Sequence, residues 1–325
     1  MKLLSLNSCY VPDDLDSVIQ YDSQSEVNPE SVGMSFKQRN SIWKATETLY
    51  KTGASPAITL CVHRKGQMVL NRAIGYARGN GPEDTAQTPK VLATPDTRIC
   101  LFSASKVVTA MLIHLLDEMG EIDLLDPISH YIPEYGVNGK KDATIYHLLA
   151  HRGGIPSLPK GTDPQLLFNP EAALDLLYKA KPIAPSGHRV AYHALTAGYI
   201  LGEIIQRVTG NNAREFLAQK ISIPMEMPSF NFGVAPEYRD KVALNYSTGL
   251  KPVLLVDTFL RNIIGGSMED AEHYTNDPKF MDTICPAGNI FATAEESSRF
   301  FQMLLDGGRY KDTQIFDSKT IRRAT

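Results

Sequence analysis

The sequence holds only four cysteines and a single tryptophan in 325 residues. Cys9, Cys61, Cys100 and Cys285 lie far apart and form no C-x-x-C pair, which argues against a structural zinc site and against a disulfide framework. A dominant charge is missing as well. Lys and Arg number 33 against 36 Asp and Glu, a formal net charge of −3, so no strong field recruits nucleic acid or an anionic membrane surface. No apolar run approaches the roughly 20 residues of a membrane-spanning helix. The opening MKLLSLNSCYVPDD has one lysine, a very short apolar stretch and no A-x-A-like site, and its Leu6-Asn7-Ser8-Cys9 only faintly suggests a lipoprotein cleavage box. These absences predict a soluble, cytoplasmic chain without membrane insertion, a periplasmic location applying only if the N-terminus is not native. Oligomeric state is not legible. The patterns G-x-x-x-x-G-K-[ST] and G-x-G-x-x-G are missing, so no nucleotide or other cofactor and no metal is expected, and a missing G-x-S-x-G speaks against an α/β-hydrolase. A small-molecule substrate is the default.

What is present is a globular pattern, with 43% hydrophobic residues. Residues 1–33 are polar and unpatterned, and read as a tail or strap. From 34 to 50, apolar residues at Phe36, Ile42, Trp43, Ala45 and Leu49 suit an amphipathic helix that Gly53 would end. The runs PAITLCV at 56–62 and QMVLNRAI at 67–74, separated by His63-Arg64-Lys65-Gly66, read as a β-hairpin. After a loop rich in Pro, Gly and Asp comes Ser103-Ala104-Ser105-Lys106, then the apolar helix VVTAMLIHLLDEMG closed by Gly120. Further helices are predicted over 143–150, 170–180, 192–209 and 212–220. The layout is α+β: a sheet module from 34–100 and 286–325 around a mostly helical module at 101–285.

Ser103 and Lys106 stand at i, i+3, so at a helix start they share a face about one turn apart. Serine is a poor nucleophile without a base in hydrogen-bond reach, and lysine can serve as that base where burial or a neighbouring cation favours its neutral form. Taken alone, the tetrapeptide reads more readily as an N-cap serine and a solvated first-turn lysine. The apolar run Val107-Val108-Thr109-Ala110-Met111-Leu112 shifts the balance, because a lysine at the head of a buried helix is costly unless it has a partner.

With its flanks, TRICLFSASKVVTAMLIHLLDEMGEIDLLDPISHYIPEY and then TIYHLLAHRGGIP at 144–156, the chain resembles the serine β-lactamase and penicillin-binding protein superfamily, particularly its class C and carboxylesterase-like branch. The resemblance runs from about Ser35 to the C-terminus and implies a β-lactamase/transpeptidase-like fold, an antiparallel sheet flanked by helices plus a helical module. It also implies a catalytic tyrosine ahead of a Gly-Tyr-x-Leu-Gly helix, which matches Tyr192 before Gly198-Tyr199-Ile200-Leu201-Gly202. A phenol there can shuttle the Ser103 proton to a leaving group. Ala194 departs from the pattern: many β-lactamases carry asparagine there to bind the drug's amide, and alanine makes no such bond. The departure favours esters over β-lactams. His193, beside Tyr192, and Ala194 are the candidate substrate-binding positions. His147 and His151, at i, i+4, lack a third ligand and the glutamate of H-E-x-x-H, and are expected to be structural.

The family's late Lys-Thr-Gly or His-x-Gly strand is missing. Lys51-Thr52-Gly53 precedes the first strand of the hairpin, and Ser247-Thr248-Gly249 has no basic residue in first place; neither is taken as its equivalent. Beyond the helical AEESSRFFQMLLDGG, three closing strands would need at least about 40 further residues, so a truncated chain or an incomplete sheet is expected. The function that follows is hydrolysis of a small ester or amide through an acyl-enzyme on Ser103. The alternatives are a DD-peptidase, an acyltransferase, or a non-catalytic protein of the same fold.

Overall fold

The computed structural model describes residues 7–159, 161–249 and 267–325; the apolar start of the chain at 1–6 lies outside them. Two compact units divide the chain.

The first unit draws on Met1–Ile99, Pro236–Val253 and Ala292–Met303. Strand β1 (Ile19–Tyr21) is followed by helix α1 (Phe36–Tyr50), which starts at a capping box where Ser35 Oγ accepts from the Gln38 N–H and Gln38 Oε1 accepts from the Ser35 N–H. Gly53, at φ 70°, turns the chain out of the helix. Strands β2 (Ala57–Arg64) and β3 (Gln67–Arg78) form the expected antiparallel hairpin. Its turn, Lys65-Gly66, has φ of 50° and 72°, the two left-handed residues that match the twist of paired strands. β1 pairs with the other side of β3, Ile19 opposite Ile74, and β4 (Val91–Leu92) pairs with β3's far end. The sheet order is β1-β3-β2, and among the described residues no later strand joins it. Val18, Trp43, Tyr50, Leu70 and Ile74 make its core. Cys9 is buried, its N–H donating to the Gly53 carbonyl at 2.8 Å. Lys51 caps α1, and the Thr248 hydroxyl donates to the Ala54 carbonyl at 2.7 Å, so both late-motif look-alikes have structural partners.

The second unit comprises Cys100–Ala235, Leu254–Phe291 and Leu304–Thr325. Its axis is α2 (Ser105–Glu118), entered through a 3₁₀ turn at Phe102–Ala104 and buried at Val108, Met111, Leu112, Ile113, Leu115 and Leu116. Helices α3 (Ile145–Leu149), α4 (Pro170–Lys179), α5 (Thr196–Thr209) and α6 (Ala213–Leu217) follow. α5 packs against α2 and ends at Gly210, φ 75°. It starts four residues later than the predicted 192, because Ala191 and His193 give their N–H groups to His151 instead of to a helical turn. The short strands β5 (Asn231–Phe232) and β6 (Ile290–Ala292) pair antiparallel, Phe232 opposite Ile290. No helix among the described residues is long and apolar enough to cross a membrane.

Candidate active site

Just ahead of α2 the chain runs beside β6: the Leu101 N–H donates to the Ile290 carbonyl at 2.8 Å. Phe102 then takes φ 44°, a left-handed conformation that costs a non-glycine residue about 1–2 kcal/mol. That bend sets Ser103 on the 3₁₀ turn, where side chains three residues apart lie nearly one above the other. The Lys106 Nζ donates to Ser103 Oγ at 3.1 Å and to the Ala287 carbonyl at 2.8 Å. From 89 residues away in sequence, the Tyr192 hydroxyl donates to the same Oγ at 2.7 Å. The ammonium sits 5.1 Å from the Tyr192 ring centroid, within cation–π range. Ser103 and Tyr192 are exposed while Lys106 is half-buried, so a solvent-facing hydroxyl is backed by two proton-bearing groups.

The Ala287 carbonyl is aimed by a rigid loop, Cys285–Asn289. The Asn289 side chain is wholly buried; its Oδ1 accepts from the Cys285 N–H at 2.9 Å, and its Nδ2 donates to the Phe280 and Thr283 carbonyls at 3.0 and 2.9 Å. From α2, Thr109 Oγ1 donates to the Pro286 carbonyl at 2.6 Å and Ser105 Oγ accepts from the Ile290 N–H at 3.1 Å. From α5, Gly198 packs so closely that an added Cβ would lie 2.6 Å from the Ala287 nitrogen. Asn289→Ala removes the side-chain partner of the Cys285 N–H and the Phe280 carbonyl, each costing about 1–3 kcal/mol if unsatisfied, while the Thr283 carbonyl keeps the Arg214 guanidinium at 3.0 Å. With partial relaxation the variant should lose roughly 2–4 kcal/mol by urea melts; an unchanged midpoint would show that the loop is not held this way. Burial pushes the nearby Cys285 thiol up to about 11, against the pull of the Lys106 cation, so it stays a neutral, weakly nucleophilic thiol.

On Tyr192's far side, His151 sits at φ 55° with its ring tilted against the phenol, centroids 5.0 Å apart. Burial, then the Lys106 cation, lowers its pKa from the ordinary 6.5. His193 is 1% exposed, with Nδ1 2.6 Å from the Ala191 carbonyl. That carbonyl can only accept, so Nδ1 carries the proton, and Nε2 is a buried atom without a hydrogen-bond partner among the described residues. Gly153 makes room for it: a Cβ there would stand 3.2 Å from Nε2. His147 lies elsewhere, its Nδ1 accepting from the Thr144 N–H at 3.2 Å in the capping box of α3.

The family model described as Beta-lactamase matches residues 43–323, which include Ser103, Lys106 and Tyr192. The chain belongs to the beta-lactamase family. Among curated relatives, a protein named esterase/beta-lactamase LipL, from Mycobacterium tuberculosis, is 26% identical over 284 residues; the match covers 82% of this chain and 62% of LipL. The chain therefore spans less than two thirds of that relative's length. A crystal structure of a family VIII carboxylesterase superposes with TM-score 0.74 at 23% identity, covering 94% of this chain and 76% of the other. A penicillin-binding protein homologue from Caulobacter crescentus gives TM-score 0.73 at 24% identity, covering 87% and 74%. The β-lactamase/transpeptidase-like fold expected from the sequence is thus the fold observed.

Within this beta-lactamase family frame, the structure brings Ser103, Lys106 and Tyr192 together, and His193 and Ala194 follow Tyr192 in the chain. His193 and Ala194 are both buried, Ala194 at 9% exposure. The sequence reading missed Ala287 and Asn289. A backbone carbonyl has no residue-type signature, and the only trace of that loop was the pair of α5 glycines, whose packing partner no spacing reveals.

Proposed function

We propose that this chain is a serine acyl hydrolase acting on small carboxylic esters, with Ser103 as nucleophile. The observation that carries the reading is one oxygen, Ser103 Oγ, within hydrogen-bond reach of both Tyr192 OH at 2.7 Å and Lys106 Nζ at 3.1 Å. The form that reacts is the one in which the Lys106–Tyr192 pair is short of one proton; Ser103 Oγ then attacks the ester carbonyl carbon as its own proton fills that place in the pair. The tetrahedral oxyanion gains from the Ser103 N–H and from the positive end of α2. Collapse breaks the C–O bond to the leaving alkoxide, which takes up the proton. Tyr192 is the natural donor in that step: it is 41% exposed, whereas Lys106 is tethered inward to Ala287. Water then attacks the acyl-enzyme, gives its proton to the same pair and releases the acid as Ser103 recovers its hydrogen.

Esters rank above β-lactams because Ala194 offers no side-chain hydrogen bond to an amide. LipL's name, esterase/beta-lactamase, supports keeping both in the test. The four unpaired cysteines support a reducing compartment such as the cytoplasm. Steady-state turnover of p-nitrophenyl butyrate and of a chromogenic cephalosporin decides the substrate class. The expected result is a kcat/KM at least about tenfold higher for the ester, with Ala194→Asn narrowing the gap, since a bond to a buried amide is worth about 1–3 kcal/mol. Faster opening of the cephalosporin by the unaltered chain would sink the ester assignment.

A further inference from the structure

We propose that His151 is a positioning residue for Tyr192, holding the phenol on Ser103 only while its own imidazole is neutral. The inference rests on the proposed role of Ser103 and adds to it a group that touches neither substrate nor reacting atoms.

Tyr192 lies in a stretch without regular structure ahead of α5, where no helical hydrogen bond fixes it. A single residue brackets it on both sides. The Ala191 N–H donates to the His151 carbonyl at 3.0 Å, and the His193 N–H donates to His151 Nδ1 at 3.1 Å. Residue 192 cannot swing away without breaking one of these bonds, and the tilted ring contact at 5.0 Å supports the phenol directly. The left-handed backbone at His151 turns the end of the α3 segment so that carbonyl and ring both meet the 191–193 stretch.

The bracket fixes a tautomer. A backbone N–H aimed at Nδ1 needs a lone pair there, so neutral His151 carries its hydrogen on Nε2. His193 has the opposite tautomer, Nδ1–H to the Ala191 carbonyl. Protonating His151 would set N–H against N–H and release one arm. The titratable and charged groups around the ring are Lys106 on α2, Tyr192 and His193 on the facing stretch, and Arg152 next in the chain; the two imidazoles stack at 5.8 Å. None is an acid that would favour the imidazolium. Burial and the Lys106 cation keep it neutral until the pH falls below the ordinary 6.5.

Two variants and one spectrum test this. His151→Asn keeps an acceptor near Nδ1, tolerates a left-handed backbone and does not titrate; it should keep kcat/KM for p-nitrophenyl butyrate within about fivefold of wild type and lose the acid limb below pH 6.5. His151→Ala should lose kcat by on the order of 10²-fold with KM little changed, the cost of a misplaced catalytic group. Histidine ¹⁵N NMR of the unaltered protein should report Nε2–H on His151 at pH 7.5. An Nδ1–H tautomer, an acid limb unchanged in His151→Asn, or wild-type kcat in His151→Ala would overturn the proposal. The tautomer is read without turnover, so it decides the bracket separately from the hydrolase assignment, which is tested by whether the unaltered chain turns over p-nitrophenyl butyrate.

Discussion

Ser103→Ala should lower kcat/KM toward p-nitrophenyl butyrate by on the order of 10⁴-fold or more while leaving the fold untouched. The size follows from chemistry, since the residue supplies the atom that forms the new bond and nothing else within the described triad can. Tyr192 would remain a phenol and Lys106 an amine with no acyl group to receive, and Cys285 is held as a neutral buried thiol. The structural cost is small, because Ser103 is exposed and alanine is well suited to the head of a helix, so the urea midpoint should move by less than about 1 kcal/mol equivalent. Activity within tenfold of wild type in a folded Ser103→Ala would remove Ser103 from the mechanism.

Lys106→Met should cost about 10³-fold or more in kcat. Methionine roughly preserves the length and apolar body of the side chain but removes both bonds that Nζ makes, to Ser103 at 3.1 Å and to Ala287 at 2.8 Å. The Ala287 carbonyl then loses its donor, which should appear as roughly 1–3 kcal/mol of lost stability in the same protein sample. Lys106→Arg should not rescue activity: a planar fork cannot reproduce a point donor that reaches a hydroxyl and a carbonyl on different sides. Lys106→Met with kcat within tenfold of wild type, measured alongside its urea midpoint, would show that the ammonium only braces the loop.

Much of this architecture could be read from the chain because its signals are strong and local. The β2–β3 hairpin shows in two β-rich runs around Lys65-Gly66, and α1 in its apolar period and the Gly53 that ends it. Elements of two or three residues, such as β1 and the β5–β6 pair, are too short to display any period, and their pairing partners are distant in sequence. α5 was extended too far because periodicity knows nothing of competing acceptors, and the N–H groups of Ala191 and His193 go to His151.

The site divides along the same line. Ser103 and Lys106 are legible as a spacing, one turn apart at the head of an apolar helix. Tyr192 became legible only through the order of motifs, since nothing local says that a tyrosine 89 residues away reaches the same oxygen. Ala287, Asn289 and the bracketing by His151 belong to tertiary structure alone. His151 did register as half of an i, i+4 histidine pair, and its expected structural role is the one its hydrogen bonds describe, although the group it holds could not be named from sequence.

The most direct measurement is labelling by a fluorophosphonate probe followed by peptide mass spectrometry. The probe reacts with an activated serine and requires no guess about the acyl substrate. The account predicts a single adduct on the peptide containing Ser103, formed rapidly by the unaltered chain, slowed in Lys106→Met and absent in Ser103→Ala. Stoichiometric labelling at another residue, or none on folded protein, would contradict the claim that Ser103, Lys106 and Tyr192 form a working nucleophilic centre.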